Sequence, residues 1–121
     1  MIKMVESSIE MIQTLDRKKF PSHIIKESYE VIRELLSIIL LLDGYRTLGE
    51  GAHKKLIEYL EKNYKECTQQ EITIMDDLRT IRNKIAYDGF FVTEEYVERK
   101  TKDIKEITFK LKEIIRKKIG D

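Results

Sequence analysis

The chain has 121 residues, 41% apolar and 37% charged, with 23 basic and 22 acidic side chains and a formal net charge of +1. That balance excludes a disordered polyelectrolyte and predicts one globular domain over residues 1–121, long enough to bury a single core. It also excludes a global basic field for nucleic acid, so any such site has to be local.

Cys67 is the single cysteine, which excludes an intrachain disulfide and fits a reducing, cytoplasmic setting. The amphipathic N-terminus has no signal-like apolar core. The longest apolar run, Leu35 to Leu42, is broken by Ser37 and is too short to span a bilayer. No membrane association is expected.

The first segment, Ile2 to Arg17, repeats apolar residues at Ile2, Val5, Ile9 and Ile12, which is helical spacing. Pro21 bars smooth continuation. A second helix is predicted from Ser22 to Leu42. Its second half is apolar all round, so it is expected to be the central helix, surrounded by others. Asp43-Gly44 ends it. After a glycine-bearing loop, Gly44 to Gly51, a short third helix is predicted over Ala52 to Tyr64. Thr68-Gln69-Gln70-Glu71 reads as a capping box opening a fourth helix toward Tyr87, and Gly89 breaks it. Thr93 is the expected N-cap of a last helix to about Ile119, with Gly120 as C-cap. At 1.5 Å per residue that helix is roughly 35–40 Å long. The expected fold is all-α, an antiparallel bundle of about five helices.

The fourth helix carries two stripes. Ile74, Leu78, Ile81 and Ile85 form an ordinary core stripe. Ile72, Met75, Arg79, Arg82 and Ala86 form a second, apolar at its ends and cationic in its middle. Two arginines are rarely buried unpaired. The spacing therefore predicts a second contact surface, met by a twofold homodimer in which the same patch faces itself. The alternative is that Arg79 and Arg82 are surface residues paired with Asp76 and neighbouring acids, with Ile72 and Met75 packed under the first helix.

Arg82-Asn83-Lys84-Ile85-Ala86-Tyr87 resembles the signature of the HEPN superfamily (higher eukaryotes and prokaryotes nucleotide-binding): Arg, often then Asn or another polar residue, then His after four to six intervening residues. The apolar second helix ending in Gly44-Tyr45 is also similar to this family. So are Gly49, the stretch Ala52-His53-Lys54-Lys55-Leu56 opening a short third helix, and the long last helix. The resemblance runs from about Ser22 to the end. It implies a HEPN-like helical bundle, a homodimer, and binding of RNA or a nucleotide. It also implies kinship with metal-independent ribonuclease toxins paired with a small nucleotidyltransferase antitoxin. By resemblance Arg82 matches the family arginine and Asn83 its polar neighbour. Tyr87 stands where the family has histidine. Gly89 stands where some toxins of the family carry a tyrosine that the antitoxin modifies.

Metal-free RNA cleavage needs a base, an acid and a cation for the growing negative charge. Arginine suits the cation role, because its fork matches phosphate. Histidine suits proton transfer near neutrality. A tyrosine, with a reference pKa of about 10, does not. Losing acid–base help typically costs about 10²–10⁴ in rate. The expected site is therefore Arg82, Asn83 and Tyr87 in the catalytic positions, with Arg79, Arg82, Asn83 and Lys84 toward phosphate and proton transfer weakened or lost. The alternatives are an active endoribonuclease using these residues without histidine, and a plain helical interaction domain. His23 and His53 stand at helix starts with no spacing that places either by Arg82. Glu50 and His53 have the Glu-x-x-His spacing of di-iron bundles but lack a second such pair. Neither a metal nor a cofactor is expected. Cys67 has no evident catalytic partner.

Overall fold

The computed structural model describes residues 2–49 and 51–120. Among them are five helices and no strand: α1 (Ile2–Gln13), α2 (Pro21–Leu42), α3 (Ala52–Asn63), α4 (Gln69–Asp88) and α5 (Glu94–Lys118). No described helix is long and apolar enough to cross a membrane.

The helix boundaries have local causes. α1 stops at Gln13, four residues before the predicted end. The Thr14 hydroxyl donates to the Met11 carbonyl at 2.7 Å, and Asp16 Oδ1 accepts from the Lys18 amide at 2.8 Å, which turns the chain. Pro21 then occupies the first position of α2, where its missing N–H costs nothing. The capping box at α4 forms as read: Glu71 N–H donates to Thr68 Oγ1 at 3.1 Å and Thr68 N–H to Glu71 Oε1 at 2.8 Å. Gly89 ends α4 at φ +65°, a left-handed backbone that favours glycine. Thr93 caps α5 through the Tyr96 amide at 3.1 Å.

α2 is the hub, packed by each of the other four helices. Its Ile25, Tyr29, Ile32, Leu35 and Ile39 are fully or almost fully enclosed. The expectation of a wholly surrounded second half needs one correction: Leu41 and Leu42 emerge into solvent where the helix runs past its neighbours. α1 packs chiefly on α2, and its Glu6 lies 3.7 Å from Lys112 of α5. Val92 N–H donates to Ser22 Oγ at 2.9 Å at one end, and Lys118 pairs with Asp43 at the other. These two contacts run α5 in the same direction as α2. Pairing of Glu30 with Arg82 and of Ser22 with Val92, just past the α4 terminus, sets α4 opposite to α2.

Two polar clasps tie helix ends together. Asp43 accepts from Tyr59 OH at 2.7 Å and Tyr64 OH at 2.5 Å besides Lys118, joining the ends of α2, α3 and α5. Burial favours the neutral acid, but Lys118 and the two phenols outweigh it and hold the Asp43 pKa below its ordinary value. Lys110 of α5 reaches Glu71 at 2.7 Å. Burial again pulls the Glu71 pKa up, but Lys110 and the Thr68 bonds outweigh it and hold the pKa below its ordinary value.

Candidate functional site at the α2–α4 seam

α4 turns Arg79 and Arg82 toward α2 and α3 rather than outward. Their side chains are only 20% and 18% exposed. Arg79 Nε donates to Asp76 Oδ1 at 2.9 Å, one turn earlier on the same helix. Arg82 Nε lies 2.9 Å from Glu30 Oε1 of α2, although that contact is not an aligned hydrogen bond. The other oxygen, Glu30 Oε2, accepts from Arg33 Nε at 3.1 Å. Arg33 Nη2 also lies 3.5 Å from Glu34. Arginines paired with Asp76 and nearby acids were one of the two readings of this stripe, and the structure has that pairing.

Ile72 and Met75 require a correction. Both were expected to offer dimer surface, or to pack under α1. Met75 has no exposed surface and Ile72 is buried, and α4 packs on α2, α3 and α5 but not on α1. Ile72 sits beside Ile57 of α3. The Ile72–Met75 end of the second stripe is therefore spent inside the chain's own core. The reason is that α3 covers a face of α4 that periodicity alone leaves open.

The last turn of α4 is different. Ala86 and Tyr87 are exposed, Tyr87 by 78%. Asn83 is one turn before Tyr87 on the same face, and its Oδ1 accepts from Arg82 Nη1 at 3.4 Å. Lys84 is exposed and lies 5.8 Å from the Phe90 ring. Phe91, just beyond Gly89, is 85% exposed. Tyr87, Phe90 and Phe91 thus form an aromatic end that the sequence reading passed over, although Phe90-Phe91 after a helix-breaking glycine was the signal for it.

His53 is the second surprise. It lies on the first turn of α3, and its ring is 6.2 Å from that of Tyr29, tilted by 50°. Burial first, and then the Arg33 guanidinium, push its pKa below the ordinary histidine value, so it is neutral at pH 7. Arg79 and Arg82 act on it in the same direction. Spacing gave no reason to bring His53 to these arginines; helix packing does. His23 instead meets Phe20 edge-on at 5.8 Å, at the start of α2. Glu50, of the Glu-x-x-His spacing, lies outside the described residues.

Tyr29 is fully buried, and its phenol is pushed up to about 12 by burial, against the pull of Arg79. Cys67 is buried, and burial followed by Glu71 pushes its thiol up to about 11, which leaves it a poor nucleophile.

The seam therefore gathers Tyr29, Glu30 and Arg33 from α2, His53 from α3, and Arg79, Arg82 and Asn83 from α4. Three guanidinium groups lie among three carboxylates, with one neutral imidazole beside them. Such a site can take an oxyanion by exchanging partners, and its imidazole is in the form that accepts a proton. Comparison of the chain with family models, curated proteins and solved structures found no match.

Proposed function

We propose that the chain is a HEPN-like homodimeric protein that binds RNA, a nucleotide or a protein partner, with ribonuclease activity lost or much weakened. In this reading it is the toxin-like half of a cytoplasmic pair whose other half is a small nucleotidyltransferase. The observation that carries it is Arg82 held at the α2–α4 seam with Asn83 beside it, while the exposed residue a turn further on is Tyr87 rather than histidine. The dimer contact in this proposal is Ala86 with the aromatic end, Tyr87, Phe90 and Phe91. Exposed aromatics of this kind are enriched at interfaces.

A second reading is an active metal-independent endoribonuclease, and His53 is the observation that favours it. A neutral imidazole stands beside the arginine cluster from another helix, and it is of the residue type that proton transfer requires. Incubation of purified protein with labelled RNA in chelator separates the two. Binding without cleavage, weakened in Arg82→Ala, supports the first. Cleavage lost in both Arg82→Ala and His53→Ala supports the second and overturns the first. Light scattering of the wild type tests the dimer directly.

A further inference from the structure

Hydrogen-bonding capacity is left unspent at one place in the protomer. The Tyr29 hydroxyl, Glu30 Oε1 and Arg82 Nε are the buried side-chain polar atoms with no hydrogen-bond partner among the described residues. Buried polar atoms are paired in roughly nine cases of ten or more. Here the exceptions share a single seam, flanked by Arg33 and Arg79. Glu30 and Arg82 neutralise each other by proximity at 2.9 Å without the bond that the distance permits.

We propose that this seam is an oxyanion site which Glu30 fills in the free protein, and that a phosphodiester displaces Glu30 from Arg82 and accepts hydrogen bonds from Arg82 Nε and the Tyr29 hydroxyl. This deepens the phosphate-facing reading of Arg82 and rests on it. Carboxylate and phosphate oxygens make the same demand on a guanidinium fork, so one replaces the other without rebuilding the site. Glu30 has somewhere to remain, because its second oxygen is already bonded to Arg33 at 3.1 Å. Arg82 keeps 18% of its side chain in solvent, which gives the incoming anion a first contact. The Tyr29 hydroxyl, buried and without a partner in the same seam, is free to donate to the incoming anion.

Charge selects the ligand. Arg33, Arg79 and Arg82 are balanced by Glu30, Glu34 and Asp76, and the charge of Glu30 stays in the cluster after the exchange because Arg33 keeps it. A neutral cluster accepts one negative charge more readily than two, and His53 adds none of its own positive charge at pH 7. A phosphodiester, as in a nucleic-acid backbone, fits better than a phosphomonoester dianion.

The test uses the full chain and the dinucleotide dTpT, which carries one phosphodiester and no 2′-hydroxyl to be cut, with thymidine as control. Arginine Nε–Hε resonances are followed by NMR. The expected result is a saturable shift of the Arg82 signal with dTpT and none with thymidine. Glu30→Gln should tighten dTpT about tenfold, because the competing charge is gone. Tyr29→Phe, which keeps the buried ring, should weaken it about threefold or more. An Arg82 signal that ignores dTpT, or shifts equally with thymidine, overturns the proposal. So does a Glu30→Gln protein, folded by circular dichroism, that binds no tighter than wild type. If dTpT binds as described while longer RNA is neither bound nor cut, the site stands and the RNA-binding function falls. If RNA binds with Arg82 silent, this inference falls alone.

Discussion

Arg82 and Glu30 face each other across the α2–α4 contact at 2.9 Å, and Glu30 is shared with Arg33 on the next turn of α2. One carboxylate thus separates two guanidinium groups that would otherwise repel each other across the seam. The pair joins α4 to α2, and it sets the resting state of Arg82.

A double-mutant cycle on Glu30→Ala and Arg82→Ala should give a coupling of about 0.5–1.5 kcal/mol in urea unfolding. The value is below that of a fully buried pair because about a quarter of Glu30 remains in solvent. Additive single mutants would show that the contact carries no weight in the fold.

Met75→Ala should destabilise the fold by about 2–5 kcal/mol, since the side chain is fully enclosed. Tyr87→Ala and Phe91→Ser should change stability by less than about 0.5 kcal/mol, as exposed substitutions do. Under the proposed dimer, those two variants lower the molar mass seen by light scattering, while Met75→Ala lowers the melting temperature first. The reverse pattern would return the contact surface to the centre of α4.

The Glu71 carboxyl has a folded pKa below its ordinary value of 4.5, so the folded state binds its proton less readily than the unfolded one. Its contribution is therefore present above that value and is lost as pH falls through the lowered pKa. Glu71→Gln keeps an oxygen for the Thr68 amide and should cost about 1 kcal/mol at pH 7, from the charge it removes beside Lys110. The gap to wild type should narrow below about pH 4 in denaturant titrations. A gap that persists unchanged at pH 3 would remove the charge from the explanation.

The Tyr59 phenol is pushed up to about 12, first by its hydrogen bond to Asp43 and then by burial. Tyr29 reaches about 12 through burial. Both hold their protons more tightly folded than unfolded, so their stabilising effect is complete below about pH 10 and fades as pH rises through those values. Ultraviolet titration of the folded chain should show late-ionising phenols, with one fewer in each of Tyr29→Phe and Tyr59→Phe. Asp43→Asn should bring Tyr59 back toward the ordinary value and leave Tyr29 unchanged.

Much of the architecture was legible in the residues. The Thr68 and Thr93 caps, the stop at Gly89 and the core stripe from Ile74 through Ile85 all stand as read. The early end of α1 was not legible, because a turn closed by Asp16 competes with helix over Thr14 to Arg17. At the site, Arg82 and Asn83 were visible as a motif. Their partners Tyr29, Glu30 and Arg33 were present only as a tyrosine and two of the several charged residues in the first two-thirds of α2. Asp43 read as a helix stop and turned out to clasp three helix ends.

The sequence by itself determined five helices, their caps and their apolar faces. These depend on contacts within a few residues, and helical period and capping chemistry encode them directly. Only the tertiary structure decided that α3 would cover Met75, that Glu30 would meet Arg82, and that His53 would lie against Tyr29. Those contacts depend on which helices become neighbours and in which direction each runs. That is settled by how side chains of all five helices fill one core, and no spacing along a single helix records it.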